Sequence, residues 1–330
     1  MSDTSFGTND SSTLKLWARK WWIAAKEKSF YYTNGFVGSE DEGRYVIIEK
    51  GELKKEKGDR IRVHQYQQLS GAGISGENTL EGQEEPISQY YFDVTIDQIR
   101  NAVRLGGSLS EQRHGDDGLR AYMKEALDTW MADYIDDQIT TGLVASPTKA
   151  LYGGDATSTA NIEAGDYMTL DLWSKCVTKA DKATPLIEPV PKGGDRAFVG
   201  LMAHDCAFDL TEQSPRWEQV QKDAQVRGNG NPIFKNALGT WKGVAMFAHN
   251  TIPLATTWGS GGNLPGATNL FLGVGAGAIA YAKRQKWNEK TFDYGDKFGL
   301  AVGSIHGFSK AKFNSNDHAT IALYTYRTNN

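Results

Sequence analysis

The chain has 330 residues, a length at which one hydrophobic core stops growing, so about two domains are expected. Hydrophobic residues make up 39% of the chain, and 36 glycines accompany 14 tyrosines, 13 phenylalanines and 9 tryptophans, which favours an α+β or β-rich architecture. The formal net charge of −4 excludes a protein that binds DNA or RNA strongly through clustered lysine and arginine.

The sequence also indicates where the protein is made. It has no run of about 18 apolar residues, and its amino end, MSDTSFGTNDSST, lacks the charged and apolar regions of a signal peptide. Two cysteines, Cys176 and Cys206, fit a reducing compartment and structural thiols rather than a disulfide framework. We therefore expect synthesis in the cytoplasm and no membrane partner.

The first predicted element is a short amphipathic helix that begins near Leu14. Apolar side chains recur there at helical spacing, and they include Trp17 and Trp21. Two interpretations of this pattern stay open. The helix either docks on the core of its own chain, or it is an arm whose tryptophans dock on a neighbouring subunit.

A strand-like pattern then leads into a glycine-rich, polar tip over residues 58–86. Ile61 and Val63 alternate with charged residues, as in a half-exposed strand, and a second strand-like segment, YYFDVTI, follows the tip. The two strands predict a long hairpin whose arm cannot bury itself. Because an exposed strand edge invites aggregation in a monomer, the pattern favours a protein built for assembly, in which a neighbour covers the arm.

The clearest predicted element is a long helix over residues 118–142. Its apolar residues recur at three- and four-residue steps, Asp116 and Asp117 supply capping groups before it, and Gly142 is expected to end it. Further elements are a helix near 172–183, a strand near 196–203, a helix near 215–225 and paired strands at 299–313 and 319–328. Residues 96–105, IDQIRNAVRL, fit either a continued strand or a short helix.

Two glycine patterns resemble nucleotide-binding motifs. Gly71, Gly73 and Gly76 spell G-x-G-x-x-G, but no helix is predicted after them to hold a pyrophosphate. Gly273 and Gly275 follow an apolar strand and precede a plausible helix, which keeps a nicotinamide-dependent oxidoreductase open as an alternative, although close packing explains these glycines more simply. No other catalytic or metal-binding motif is present, so we predict no enzyme, no cofactor and no metal site.

The order of these elements resembles a tailed-bacteriophage major capsid protein of the HK97-like fold. The segments KGDRIRV, LSGAGISGENTLEGQEEPI and VTIDQIRNAVRLGGSLSEQR, the tryptophan-bearing helix and the closing GFSKAKFNSNDHATIALYTY are similar to the N4-like phage family. The resemblance implies an α+β fold with an N-terminal arm, an extended β-hairpin loop, a long spine helix in a peripheral domain and an axial α/β domain. The implied ranges are 1–40 for the arm, 41–92 for the loop, 93–164 with 300–330 for the peripheral domain and 165–299 for the axial domain.

The resemblance also implies a structural function. Many copies would form hexamers and pentamers of an icosahedral shell that encloses double-stranded DNA, with decoration, scaffolding and portal proteins as further partners. Such a shell is assembled in the host bacterial cytoplasm and becomes part of the virion. An encapsulin-like nanocompartment is the alternative within the same fold. The expected intersubunit contacts are made by Trp17, Trp21, Arg60, Arg62, Glu81, Glu84, Glu85 and Arg113.

Overall fold

The computed structural model describes residues 11–39, 43–51, 58–66, 69, 71, 73–87, 89–107, 119–192, 195–213, 217 and 238–329. Two helices begin this part of the chain, α1 (Ser11–Lys28) and α2 (Phe30–Thr33). They confirm the expected amino-terminal helix. Trp21 is completely buried in the chain's own core, and the neighbouring Trp22 meets the Tyr281 ring edge-on at 5.3 Å. This burial fits the interpretation in which the helix docks on its own core.

The long helix α3 (Leu119–Val144), called the spine helix below, has 26 residues and is therefore about 39 Å long. The residues on its core-facing side are buried and spaced four apart: Met123, Leu127, Met131, Ile135, Ile139 and Leu143. The expectation that Gly142 ends the helix is wrong. Gly142 lies inside the last turn, where a Cβ would lie 2.5 Å from Cδ1 of Phe308. The glycine therefore permits close approach of the helix to a strand rather than ending the helix.

One sheet packs beneath the spine helix and has five strands. In spatial order they are β1 (Val37–Ser39), β2 (Ile47–Lys50), β13 (Gly277–Phe292), β14 (Lys297–Lys310) and β5 (Asp97–Arg104). The two longest, β13 and β14, form an antiparallel hairpin, and β5 pairs antiparallel with the outer side of β14. The segment that fitted either a strand or a short helix is therefore a strand, β5. The prediction of a helix after Gly275 is wrong, because those residues form β13, which pairs with β14 and β2.

The other large sheet has eight strands. Its main path runs β6 (Ala150–Tyr152), β17 (Thr320–Tyr326), β12 (Leu264–Leu272), β8 (Asp195–Met202), β10 (Val244–Ala248) and β9 (Gly239–Trp241). Two short strands complete it, β7 (Val190–Lys192) beside β8 and β11 (Leu254–Trp258) beside β12. Two helices accompany it, α4 (Leu170–Asp181) and α5 (His204–Gln213), and the α4 residue Trp173 packs where Gly200 of β8 leaves room.

The sheets divide the chain differently from the expected ranges. The expected boundary at 299/300 cuts β14 and separates most of it from β13, although the two strands pair along nearly their whole length. The two C-terminal segments are strands as predicted, but they are not partners, because β14 pairs with β13 and β5 whereas β17 pairs with β12 and β6. One hydrophobic core joins both sheets and the spine helix. The helix expected near 215–225 lies outside the described residues except for Trp217, which is buried.

Candidate functional site: a projecting hairpin

A separate hairpin made of β3 (Arg60–Tyr66) and β4 (Gln89–Thr95) leaves the first sheet. The strands pair antiparallel, from Arg60 opposite Thr95 to Tyr66 opposite Gln89. The base of the hairpin is buried on its own chain, which corrects the expectation that the whole arm cannot bury itself. Its inward side chains pack on alanines of β13 and of the segment after β14, in a small cluster of Ile61, Val63, Phe92, Val94, Ala278, Ala280 and Ala311.

Beyond this base, the hairpin exposes large apolar side chains. Tyr66, Leu69, Leu80, Ile87 and Tyr91 are each between 56% and 66% exposed. Folded monomers rarely leave so many large apolar groups together on one projecting element, and such groups mark interaction surfaces. Sequence reasoning missed these five residues, although the tyrosines occupy outward positions in the strand alternation.

The tip of the hairpin, residues 69–87, turns through glycines. Gly73, Gly76 and Gly82 have φ values of +67°, +73° and +87°, which only glycine adopts without strain. The described residues 73–87 contain turns and extended backbone but no helix. The G-x-G-x-x-G pattern therefore lacks the helix amino terminus that a dinucleotide site requires.

Two of the predicted site residues shape the tip. A carboxylate oxygen of Glu85 accepts a hydrogen bond from the backbone N–H of Gly71 at 2.6 Å, and one of Glu84 accepts from Gly82 at 2.8 Å. The third, Glu81, is exposed in the same turn region. All three residues therefore lie on the described tip of the hairpin, within residues 81–85.

The two predicted arginines lie on the outward face near the base. Arg62 donates two hydrogen bonds to Asp93, at 2.8 and 3.1 Å, and its guanidinium lies 3.9 Å from the centre of the Tyr91 ring. This pairing lowers the pKa of the Asp93 carboxyl below its usual range. Arg60 lies 3.7 Å from the same carboxylate. The arginines therefore stabilise the hairpin across its two strands, and both side chains stay about half exposed.

Trp21, a further predicted contact, does not join this site. Trp21 is buried in the core, which corrects its place among the intersubunit contacts. The side chain of Trp17 and the whole of Arg113 lie outside the described residues.

The amino-terminal helices are held to the spine helix by a buried carboxylate. Asp136 accepts hydrogen bonds from the Ser29 hydroxyl at 2.6 Å and from the Phe30 backbone N–H at 2.8 Å. It thereby satisfies groups at the start of α2 that have no partner within the helix. Burial raises the pKa of Asp136 to about 6, which these hydrogen bonds partly oppose. Tyr31 strengthens the joint through a hydroxyl contact with Thr140 at 2.8 Å.

A second spine-helix carboxylate, Asp128, gives the fold a testable pH dependence. It is 4% exposed, its Oδ1 has no hydrogen-bond partner among the described residues, and burial raises its pKa to about 6. Because the folded pKa lies above the unfolded value, ionisation costs stability as the pH rises from about 4 to 6. We expect Asp128→Asn to raise the free energy of unfolding by about 1–2 kcal/mol at pH 8 and much less at pH 4.

Urea unfolding of both proteins at the two pH values measures this difference. Asp133→Asn, which changes an exposed carboxylate on the same helix, is the matched control and should have little effect at either pH. An equal effect of Asp128→Asn at pH 4 and pH 8 would contradict the assignment of the raised pKa to this residue.

The other residues considered for chemistry have structural surroundings. Gly273 packs closely, since a Cβ there would lie 2.5 Å from Cγ2 of Ile187. Burial raises the pKa of the Cys176 thiol to about 12 and that of Cys206 to about 11, which fits structural thiols. Among the described residues, no group of three or more His, Cys, Asp or Glu side chains is arranged to hold a metal ion. None of the helices in the described ranges is long and apolar enough to cross a membrane.

Comparison with known proteins identifies the family. Residues 5–145 and 142–328 match the model of a family described as phage capsid protein. The chain is 27% identical to the major capsid protein of Pseudomonas phage KPP25, over 96% of this chain and 95% of that one. Its structure is similar to the capsid of Ralstonia phage GP4 (TM-score 0.81, 27% identity, 99% of both chains). The cyanophage Pam1 capsid supports the fold (TM-score 0.76, 17% identity, 91% and 92% covered). The chain therefore belongs to the phage capsid protein family, and its α+β fold is HK97-like.

Proposed function

We propose that many copies of this chain close into the icosahedral shell of a tailed phage, with its hairpin lying over an adjacent subunit. The observation that carries the proposal is the hairpin itself. Its base is anchored in the chain's own core, whereas its outer half exposes apolar side chains that one subunit alone leaves in water. Covering such groups with a neighbour is a strong source of association free energy.

The two large sheets fit two different places in the shell. We assign the five-stranded sheet with α1 and the spine helix to the peripheral region, and the eight-stranded sheet with α4 and α5 to the axial region at the centre of each hexamer or pentamer. This assignment follows sheet membership, so the whole of β13 and β14 is peripheral and β17 is axial. The hairpin leaves the peripheral sheet, as an element that reaches a neighbour should.

Charge and family membership support double-stranded DNA as the contents of the shell. A net charge of −4 lets the shell enclose double-stranded DNA without adhering strongly to it. The family match and the curated relative are phage proteins, which favours this content over the enzyme cargo of a nanocompartment. The role is then structural rather than enzymatic. Assembly takes place in the host bacterial cytoplasm, where scaffolding, portal and decoration proteins are the further partners.

Shortening the hairpin tests this proposal. Residues 67–88 are replaced by Asn-Gly, a pair that closes a two-residue turn between Tyr66 and Gln89, which face each other across the strands. The base cluster and both strands remain, so we expect a folded subunit with unchanged circular dichroism that forms no closed shells in electron micrographs. Shells of normal yield from this variant would contradict the proposed role of the hairpin.

A further inference from the structure

The outer end of the hairpin carries negative charge only. Residues 69–87, called the acidic tip below, contain Glu77, Glu81, Glu84 and Glu85 and no lysine, arginine or histidine. All four carboxylates are exposed, and the exposed Leu80 lies among them. The tip therefore presents an apolar side chain surrounded by carboxylates, which suits a basic pocket with an apolar neighbour.

The same chain has such a pocket on the eight-stranded half. It is a cavity of about 620 Å³ beside α4, called the lysine pocket below. Lys175 and Lys179 lie four residues apart on α4, and Lys182 follows at the cap that ends the helix. Lys149, just before β6, lines the same pocket. The rest of the described lining is Ser174, Thr178 and Ala183, without a carboxylate.

The four lysines of this pocket form no ion pair within the described part of the chain. Lys149 and Lys179 donate to the backbone carbonyls of His318 and Ala150, at 3.1 and 2.9 Å, which are neutral acceptors. Among the described residues, no carboxylate lies within 4.0 Å of the charged nitrogen of any of the four lysines. Burial is the main cause that lowers the pKa of Lys149, and the proximity of Lys179 adds to it, while the carboxylate of Asp317 partly opposes both. An anionic ligand would relieve this repulsion.

We propose that the acidic tip of one subunit docks in the lysine pocket of a neighbouring subunit. This inference rests on the proposed function, because it names the surface on which the hairpin lies. The four carboxylates match the four lysines in number, and Leu80 matches Leu186, which is 42% exposed three residues beyond the pocket residue Ala183. Complementary charge of this kind sets the register between partners.

A DNA phosphate backbone is the other anion that lysines could bind. The apolar side chains on both surfaces favour the tip, because a phosphate backbone offers nothing to cover Leu186. The tip also reaches beyond its own subunit's core, so it needs a surface to lie on.

Zero-length crosslinking gives the first test. A carbodiimide is applied to shells assembled from equal parts of ¹⁵N-labelled and unlabelled full-length chain. We expect peptides that join Glu84 or Glu85 to a pocket lysine and that mix the two isotopes, which shows that they come from different subunits. The proposal is overturned if every crosslinked pair of peptides carries a single isotope. It is also overturned if the glutamates of the tip are joined only to lysines outside the pocket.

Charge exchange gives the second test. Lys175 and Lys182 are exposed, so the variant Lys175→Glu with Lys182→Glu should fold, and we expect its shell yield to fall about tenfold or more. Adding Glu84→Lys and Glu85→Lys should restore much of that yield.

Normal assembly of the lysine variant, while the shortened hairpin still fails, overturns the docking site and leaves the proposed function standing. If the lysine variant forms normal shells that package or retain less DNA, the pocket binds DNA rather than the acidic tip, and the docking proposal is overturned. If the shortened hairpin itself assembles, the proposed function fails.

Discussion

Asp317→Ala is expected to lower the free energy of unfolding by about 3–5 kcal/mol, because it leaves a lysine charge buried without its partner. Asp317 lies 2.9 Å from the ammonium of Lys310, and the two side chains are 0% and 4% exposed. Asp317 also accepts a hydrogen bond from the Thr148 backbone N–H at 2.9 Å, and Lys310 donates to the Ala145 carbonyl at 2.7 Å. The pair therefore ties the end of the spine helix to both ends of the turn that follows β14.

Chemical denaturation of the variant and the wild type measures this loss. The matched control is Asp293→Asn, which removes the charge from the exposed pair with Lys297 at 2.8 Å and should cost less than about 1 kcal/mol. The double variant Lys310→Met with Asp317→Leu should be closer to the wild type than Asp317→Ala, because it removes both buried charges. A loss below about 1 kcal/mol for Asp317→Ala would show that Lys310 finds another partner or reaches water.

Glu84→Lys with Glu85→Lys is expected to prevent efficient shell assembly while the circular dichroism of the subunit stays unchanged. The substitution reverses the charge of an exposed tip, and like charges placed together across an interface cost several kcal/mol. The effect should therefore exceed about tenfold in shell yield, measured by sedimentation and electron microscopy. Raising the salt concentration should recover part of the yield, because salt screens exposed charges.

A neutral variant separates charge from the shape of the tip. Glu84→Gln with Glu85→Gln keeps oxygen atoms that can accept from the backbone of Gly82 and Gly71, the hydrogen bonds that the glutamates make. We expect it to assemble better than the lysine variant. If both variants assemble as well as the wild type, these carboxylates do not contribute to an interface.

The sequence predicted well those elements whose apolar pattern is compatible with only one type of secondary structure. The spine helix, expected at 118–142, is Leu119–Val144, because its apolar residues repeat at helical spacing for many turns. Its end was misplaced because glycine both ends helices and admits close packing. Only the approach of Phe308, far along the chain, decides between the two at Gly142.

Residues 277–292 show where local pattern is insufficient. The segment GAIAYAKRQKW after Gly275 suits a helix by composition, yet it forms β13, because β14 supplies a partner along nearly its whole length. The intrinsic preference of these residues for helix is weak compared with such long-range strand pairing. The same holds for Trp21, since helical spacing is identical whether the helix docks on its own core or on a neighbour.

The candidate site could be predicted only in part. The strand alternation and the acidic, glycine-rich tip were visible in the sequence from Gly58 onward, and both lie on the hairpin. That the base is buried on Ala278 and Ala280 could not be seen, because these residues are far along the chain. The lysine pocket was missed for the same reason, since Lys149 meets α4 only after β6 joins the eight-stranded sheet.

High-resolution electron cryomicroscopy of particles formed by the purified full-length chain is the most direct test of the proposed shell. We expect uniform icosahedral particles in which residues 69–87 of each subunit lie over an adjacent one. A small compact oligomer without larger assemblies, or a shell in which the hairpin folds back on its own subunit, would contradict the proposed function.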